Sequence, residues 1–217
     1  MFVGCGSPEL YRNVYAEKQT LFYSIGDLFV PETVINTYRM RDFISSDYFA
    51  NYKQLNGDLK AIDEMYDYAQ WITDEDIQQS LFIITLSTLP YKRTPAKIPV
   101  VNLDMMFYFS MESDSSFKKR YHNLPAHFFS DSPVNNFGDK DKMPHYFGSA
   151  FITYSSDAKF LSNYIGDLIE MGEAFFSLEG FNDERDRKAN GLGAQFGSGL
   201  LKNPDTKPSE FILKWKK

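Results

Sequence analysis

The sequence predicts a mainly α-helical, compact domain with a small antiparallel β element at about residues 98–109 and 210–214. Three observations predict it. Leu59, Ile62, Met65, Tyr66 and Ala69 recur at three- and four-residue spacing, the period of one helix face. Helix-start signals precede apolar runs at Gly57-Asp58, at Thr73-Asp74-Glu75-Asp76 and at Pro144, where a missing N–H removes no helical bond. Dense β-branched and aromatic residues gather in short pieces, Ile98 to Leu103, Met105 to Phe109 and Phe211-Ile212-Leu213.

Taken in order, residues 1–8 read as a tether. Residues 9–89 form an N-terminal helical part in which Leu10, Val14 and Leu21 mark a first apolar stripe. The Thr73 to Asp76 stretch resembles a capping box with Asp in place of Glu, opening a helix that carries Ile77, Leu81, Ile84 and Leu86 towards Pro90. Residues 90–138 form a connector. Its first ten residues hold three prolines with Lys92, Arg93 and Lys97 and no acid, and residues 110–138, rich in Ser, Asp, Asn and Pro, read as a long ordered loop. Residues 139–201 carry three helices, expected from near Asp141 to about Tyr154, from about Asp157 to Phe176, and from a cap at Asn182 or Asp183. Residues 202–217 form a tail or strand.

Composition narrows the function classes. A chain of 217 residues, 43% hydrophobic and 24% charged, suits one well-filled core. With 23 Lys plus Arg against 29 Asp plus Glu, the net charge of −6 disfavours a nucleic-acid partner. The single Cys5 excludes an intrachain disulfide, and no Cys/His spacing suits structural zinc. The longest strongly apolar run, Leu81 to Leu89, is interrupted by Thr85, Ser87 and Thr88 and falls far short of the ~20 residues that span a bilayer.

The chemistry gathers on the last three helix faces. Asp141, His145, Gly148, Ser149 and Ile152 share one face of the first. The second places Asn163, Gly166, Glu170, Glu173 and Ser177 in a ladder beside an apolar stripe, and the third aligns Asp186, Asn190, Gly193 and Gly197. Gly148, Gly166, Gly193 and Gly197 are expected to permit close helix packing. Asp141, Lys142, His145, Glu170, Glu173, Arg185, Asp186 and Asn190 then form one candidate polar cluster, in which Lys142 or Arg185 would offset adjacent carboxylates.

Three readings of the cluster stand open. It orders the helical core as a hydrogen-bonded network. It holds a small ligand or a divalent cation, as one His with several carboxylates can. It performs acid–base chemistry, with His145, Glu170 and Glu173 as candidate catalytic residues. His122 and His127, in the long loop, read as surface or packing residues. Ser149 stands one helical turn from His145 without a strand-to-helix elbow, which argues against a serine hydrolase. The glycines from Gly191 to Gly197 miss the dinucleotide-loop spacing and follow no predicted strand. Lys214-Trp215-Lys216-Lys217 reads as a solvated end with weak membrane-surface attraction as the alternative.

Two resemblances bear on location. Met1-Phe2-Val3-Gly4-Cys5-Gly6-Ser7 resembles the end of a bacterial lipoprotein signal, which would make Cys5 the lipidated residue. Only four residues precede it, fewer than the apolar stretch of ~7–15 that such a signal carries. Asp141-Lys142-Met143-Pro144-His145, then Glu170 with Glu173, then Asp186 to Gly193 with Asn190, followed by Gly197, resembles the pattern of the VanZ-like and YfiM-like bacterial envelope families over residues 139–199. VanZ-like members are transmembrane and this segment is too polar to span, which favours the YfiM-like, lipoprotein side; Glu173 stands where those families carry Gln or Asp. The resemblance implies an envelope protein, lipid-anchored through Cys5 and facing the periplasm or the exterior, and it implies no reaction. The alternatives are an envelope hydrolase acting on lipid or cell-wall material with His145 as acid or base, and a structural protein presenting the first 138 residues to an envelope partner.

Overall fold

The structure, a computed structural model, describes residues 32–98, 103–108, 110, 112–155 and 184–215. Cys5, the stripe through Leu10, Val14 and Leu21, the helix expected over 157–176 with Gly166, Glu170 and Glu173, and Lys216-Lys217 lie outside the described residues. The elements are α1 Glu32–Ser45, α2 Asp47–Asn56, α3 Asp58–Ile72, α4 Ile77–Thr88, β1 Arg93–Ile98, β2 Leu103–Tyr108, α5 Asp114–Asn123, α6 Lys142–Tyr154, α7 Glu184–Leu200 and α8 Pro208–Ile212. The mainly helical class is the one the sequence predicts.

Helix boundaries follow local chemistry. The Ser46 side chain accepts from the Phe49 N–H and starts α2, and Ser113 does the same for α5 through Ser116. Gly57, at φ 82°, lets the chain turn from α2 directly into α3. The cap of α4 falls three residues later than the expected Thr73. Asp76 accepts from the Gln79 N–H, while Thr73 closes α3 and its hydroxyl reaches the Ala69 carbonyl and the Ser80 hydroxyl. Asp74 and Glu75 bridge the two helices in left-handed conformation, at φ 51° and 66°.

Two expectations for the connector are corrected. Within the stretch read as a loop, residues 114–123 are the helix α5, because a serine cap and the burial of Arg120 and Asn123 outweigh weak helix formers. The antiparallel pair joins β1 to β2, with Arg93 opposite Tyr108 and Ile98 opposite Leu103. Residues 210–214 contribute no strand: Phe211 and Ile212 belong to α8. Pro208 sits at its start, and the N–H and hydroxyl of Ser209 bond Asp63 at 3.0 and 2.8 Å, so a buried carboxylate of α3 holds this segment as a helix.

The core centres on α4, which packs against α1, α3 and α6. Leu81, Ile83 and Ile84 are fully buried beside Ser80, Ser87 and Thr88, as expected of a helix without a solvent face. Rings fill the space around it. Phe43 stacks on Tyr68 at 3.9 Å, and Phe196 meets Tyr66 edge-on at 5.5 Å and Tyr146 face-on at 5.6 Å.

The buried C-terminal end of α4 needs donors for its last carbonyls, and two arginines supply them. Arg41 donates to the Leu86 carbonyl at 3.1 Å, and Arg120 to those of Ser87 and Leu89 at 2.8 and 3.2 Å. Glu112 is their counter-charge, bound by Arg120 at 2.6 Å and by the Ser110 hydroxyl at 2.9 Å. Burial, then the charge of Arg120, lowers the Arg41 guanidinium to about 10. Burial acts to raise Glu112, but the bonds from Arg120 and Ser110 outweigh it and its carboxyl is lowered.

Replacing Glu112 with Gln takes the carboxylate from the buried Arg120 guanidinium. The expected cost is ~3–5 kcal/mol in urea denaturation; a loss under ~1 kcal/mol would reject the assigned role of Glu112.

Glu64 of α3 behaves differently. It is 5% exposed, accepts from the Tyr48 hydroxyl at 2.9 Å, and is pushed from its ordinary 4.5 to about 7 by burial and Asp67, with Lys207 opposing. The folded chain therefore holds a proton that the unfolded chain has lost between those values, so the stability this group contributes falls as pH rises from 4.5 to about 7 and is level above that. Glu64→Gln, which retains an acceptor for Tyr48, is expected to raise Tm over wild type at pH 8 and to leave it unchanged at pH 4. Equal changes at both pH values in thermal melts would contradict it.

Candidate functional site

Helices α6 and α7 run parallel, since Lys142, Ser149 and Ala150 meet Asp186, Asn190 and Gly197 in the same order along both. Parallel packing brings two helix N-termini, and the positive ends of two helix dipoles, to one place. Asp141 stands at the cap position of α6 and Asp186 in the first turn of α7, where such ends favour carboxylates. The Lys142 ammonium lies between them, 2.7 Å from Asp141 Oδ2 and 2.5 Å from Asp186 Oδ1. His145 Nε2 stands 3.4 Å from the same Asp186 oxygen. The four side chains are 3–12% exposed, so this is a sealed polar group.

One turn further along the seam, the Ser149 hydroxyl donates to Asn190 Oδ1 at 2.9 Å. Below it the interface becomes backbone against backbone. A Cβ on Gly193 would sit 2.0 Å from the Tyr146 carbonyl oxygen, and one on Gly197 would sit 2.5 Å from that of Ala150. Both positions require glycine for the approach. Gly148, expected to share this role, does not: its Cβ would meet only Thr85 Cγ2 at 3.5 Å, an ordinary contact with α4.

Arg185 joins a different group. Its Nη2 donates to Asp131 at 3.0 Å and to Asp139 at 2.6 Å. Burial acts to lower the guanidinium, but its bonds to Asp139 and Asp131 outweigh it and raise it. Asp139 belongs to none of the polar helix faces marked by the sequence. It is fully buried and its second oxygen accepts from the N–H groups of Phe128 and Phe129 at 3.1 and 3.0 Å and from the Ser132 hydroxyl, so one carboxylate shapes the 128–132 turn and anchors it to α7. Its signal in the sequence is faint, because the groups it serves are backbone amides with no residue signature.

The expected cluster is thus distributed along one seam in three parts: Lys142 with Asp141, Asp186 and His145; Arg185 with Asp131 and Asp139; and Ser149 with Asn190. Glu170 and Glu173 lie outside the described residues. His122 and His127 are exposed. Among the described residues no three His, Cys, Asp or Glu side chains are placed to hold a metal ion, and no helix is long and apolar enough to cross a membrane. A surface cleft of about 550 Å³, lined by Asp67, Trp71, Asp74, Glu75 and Asp205, includes none of the sequence-predicted site residues.

No protein-family model, no curated protein and no solved structure matches the chain.

The glycines make a discriminating pair. Gly193→Ala is expected to cost ~1–3 kcal/mol or more, because backbone must move to admit the methyl. Gly191→Ala, on the exposed side of the same helix with nothing within 4 Å of its Cβ position, is expected to stabilise by ~0.4–1 kcal/mol. Chemical denaturation of both variants tests the seam; similar effects would refute it.

Proposed function

We propose that this chain is a lipid-anchored protein of the bacterial envelope in which the Lys142-centred network orders the helical core, a structural or interaction protein in preference to a hydrolase. The observation that carries the core-ordering role is the Lys142 ammonium seated between Asp141 and Asp186, with all three side chains 12% exposed or less. The charge that two carboxylates would offer to a cation is met by the protein's own lysine. His145 lies on the same sealed seam, away from the surface cleft. The envelope location rests on the sequence from Met1 to Ser7 and on the Asp141 to Gly197 pattern, with Cys5 as the lipid attachment point.

The test compares wild type with Lys142→Met and His145→Ala by metal analysis and thermal melting. Expected are no stoichiometric metal in wild type, melting unaffected by a chelator, and a loss of ~3–5 kcal/mol in Lys142→Met, which leaves two carboxylates buried without their cation. Stoichiometric metal that disappears in the variants would reject the core-ordering role. Incorporation of a labelled fatty acid that is abolished in Cys5→Ser is the expected result for the anchor; equal incorporation would reject it.

A further inference from the structure

Helix α3 ends at the surface cleft, which shares no residue with the Lys142 network. At about 550 Å³ the cleft has the volume of a small-molecule site. Three separate segments wall it: Asp67 and Trp71 from the last two turns of α3, Asp74 and Glu75 from the turn into α4, and Pro204 and Asp205 from the chain that follows α7. Ile77, the first residue of α4, adds apolar surface to that of the half-buried Trp71 indole. The walls are fixed from behind. Ser209 bonded to Asp63 and Lys207 paired with Asp67 hold the 204–209 segment on α3, and the Glu75 N–H closes the turn on the Gln70 carbonyl at 2.8 Å.

Lys207 answers one of the four carboxylates of the cleft, that of Asp67. Asp74, Glu75 and Asp205 are exposed and, among the described residues, make no ion pair. Helix α3 brings its C-terminal, negative end to the same place, while the positive end of α4 is met by its own cap, Asp76. The surface therefore favours a cation. Its carboxylates do not converge on one point, since among the described residues no three His, Cys, Asp or Glu side chains are placed to hold a metal ion. A hard metal ion needs several oxygens around one centre. Carboxylates spread over three segments beside an indole and an apolar side chain suit a cation that is extended and partly hydrocarbon. Its charged groups face the carboxylates, its methylene groups cover Ile77 and the indole, and an indole attracts a cation in addition.

We propose that the cleft walled by Trp71, Asp74, Glu75 and Asp205 binds an aliphatic amine carrying two or more ammonium groups. The basis is the juxtaposition, in one concave place, of an indole, apolar surface and carboxylates that the chain does not itself neutralise. A monoamine engages one carboxylate, and a single exposed ion pair contributes little. Several ammonium groups on one chain act together, because each contact after the first is intramolecular.

The experiment titrates spermidine calorimetrically into the full chain at pH 7 and fixed ionic strength, with magnesium and butylamine as comparison ligands. Spermidine is expected to bind at one site per chain and more tightly than either. The double variant Asp74→Asn with Asp205→Asn is expected to weaken it about tenfold or more, and Trp71→Leu about two- to fivefold, with Trp71→Phe close to wild type. Glu32→Gln with Glu184→Gln, which removes the same charge outside the cleft, is expected to leave the affinity unchanged. No binding of spermidine, equal binding of magnesium or butylamine, or equal weakening by the two double variants would overturn the proposal. Trp71 packs on Tyr68, so if Trp71→Leu fails to fold the exposed Asp74 and Asp205 supply the test. Each of these results leaves the core-ordering role of Lys142 untouched.

Discussion

Burying the end of a helix creates a demand that apolar packing cannot meet, and this fold is arranged around one such end. Helix α4 is enclosed by α1, α3 and α6, so its last carbonyls have protein as their surroundings. Arg41 from α1 and Arg120 from α5 satisfy them, and the two buried guanidinium groups in turn require Glu112. The position of α5, the placing of Ser110 and Glu112 and the docking of α1 all follow from that requirement. Each donor is fixed by the carbonyl it serves, and each charge by the one that offsets it.

The seam between α6 and α7 meets a different constraint with the same kind of solution. Gly193 and Gly197 bring two backbones into contact, which sets the separation of the helices but leaves their polar N-terminal turns enclosed. Lys142 resolves the resulting concentration of carboxylates from within the chain. Two parallel helix starts and one lysine face Asp141 and Asp186, and Arg185 pairs with Asp131 and Asp139 nearby. The polar end of the seam specifies which residues face each other; the glycine end specifies how closely they do so.

Part of this was legible in the residues. The periodicity from Leu59 to Ala69 and the Gly57-Asp58 start mark α3, and Pro144 marks the first turn of α6. Gly193 and Gly197, four residues apart on the face of Asp186 and Asn190, already indicate a close neighbour. Helix α5 was hidden because its sequence is polar and its one strong anchor, Arg120, looks in isolation like a surface cation. The segment at Phe211 presents the converse case: its aromatic and branched residues suit a strand, but the Asp63 carboxylate caps them into a helix from a position far away in sequence.

By itself the sequence determined the helical class, the faces on which polar and small residues align, and the character of the seam, because these depend on spacing within single elements. Tertiary structure alone decided which charges meet. That Lys142 bridges Asp141 and Asp186, that Arg185 turns to Asp139, and that Lys140 comes to lie on Tyr121 are outcomes of how helices cross and which carbonyls they bury. Pairing between ionic side chains is short-ranged and depends on the local dielectric, so it is settled only when distant segments pack and water leaves.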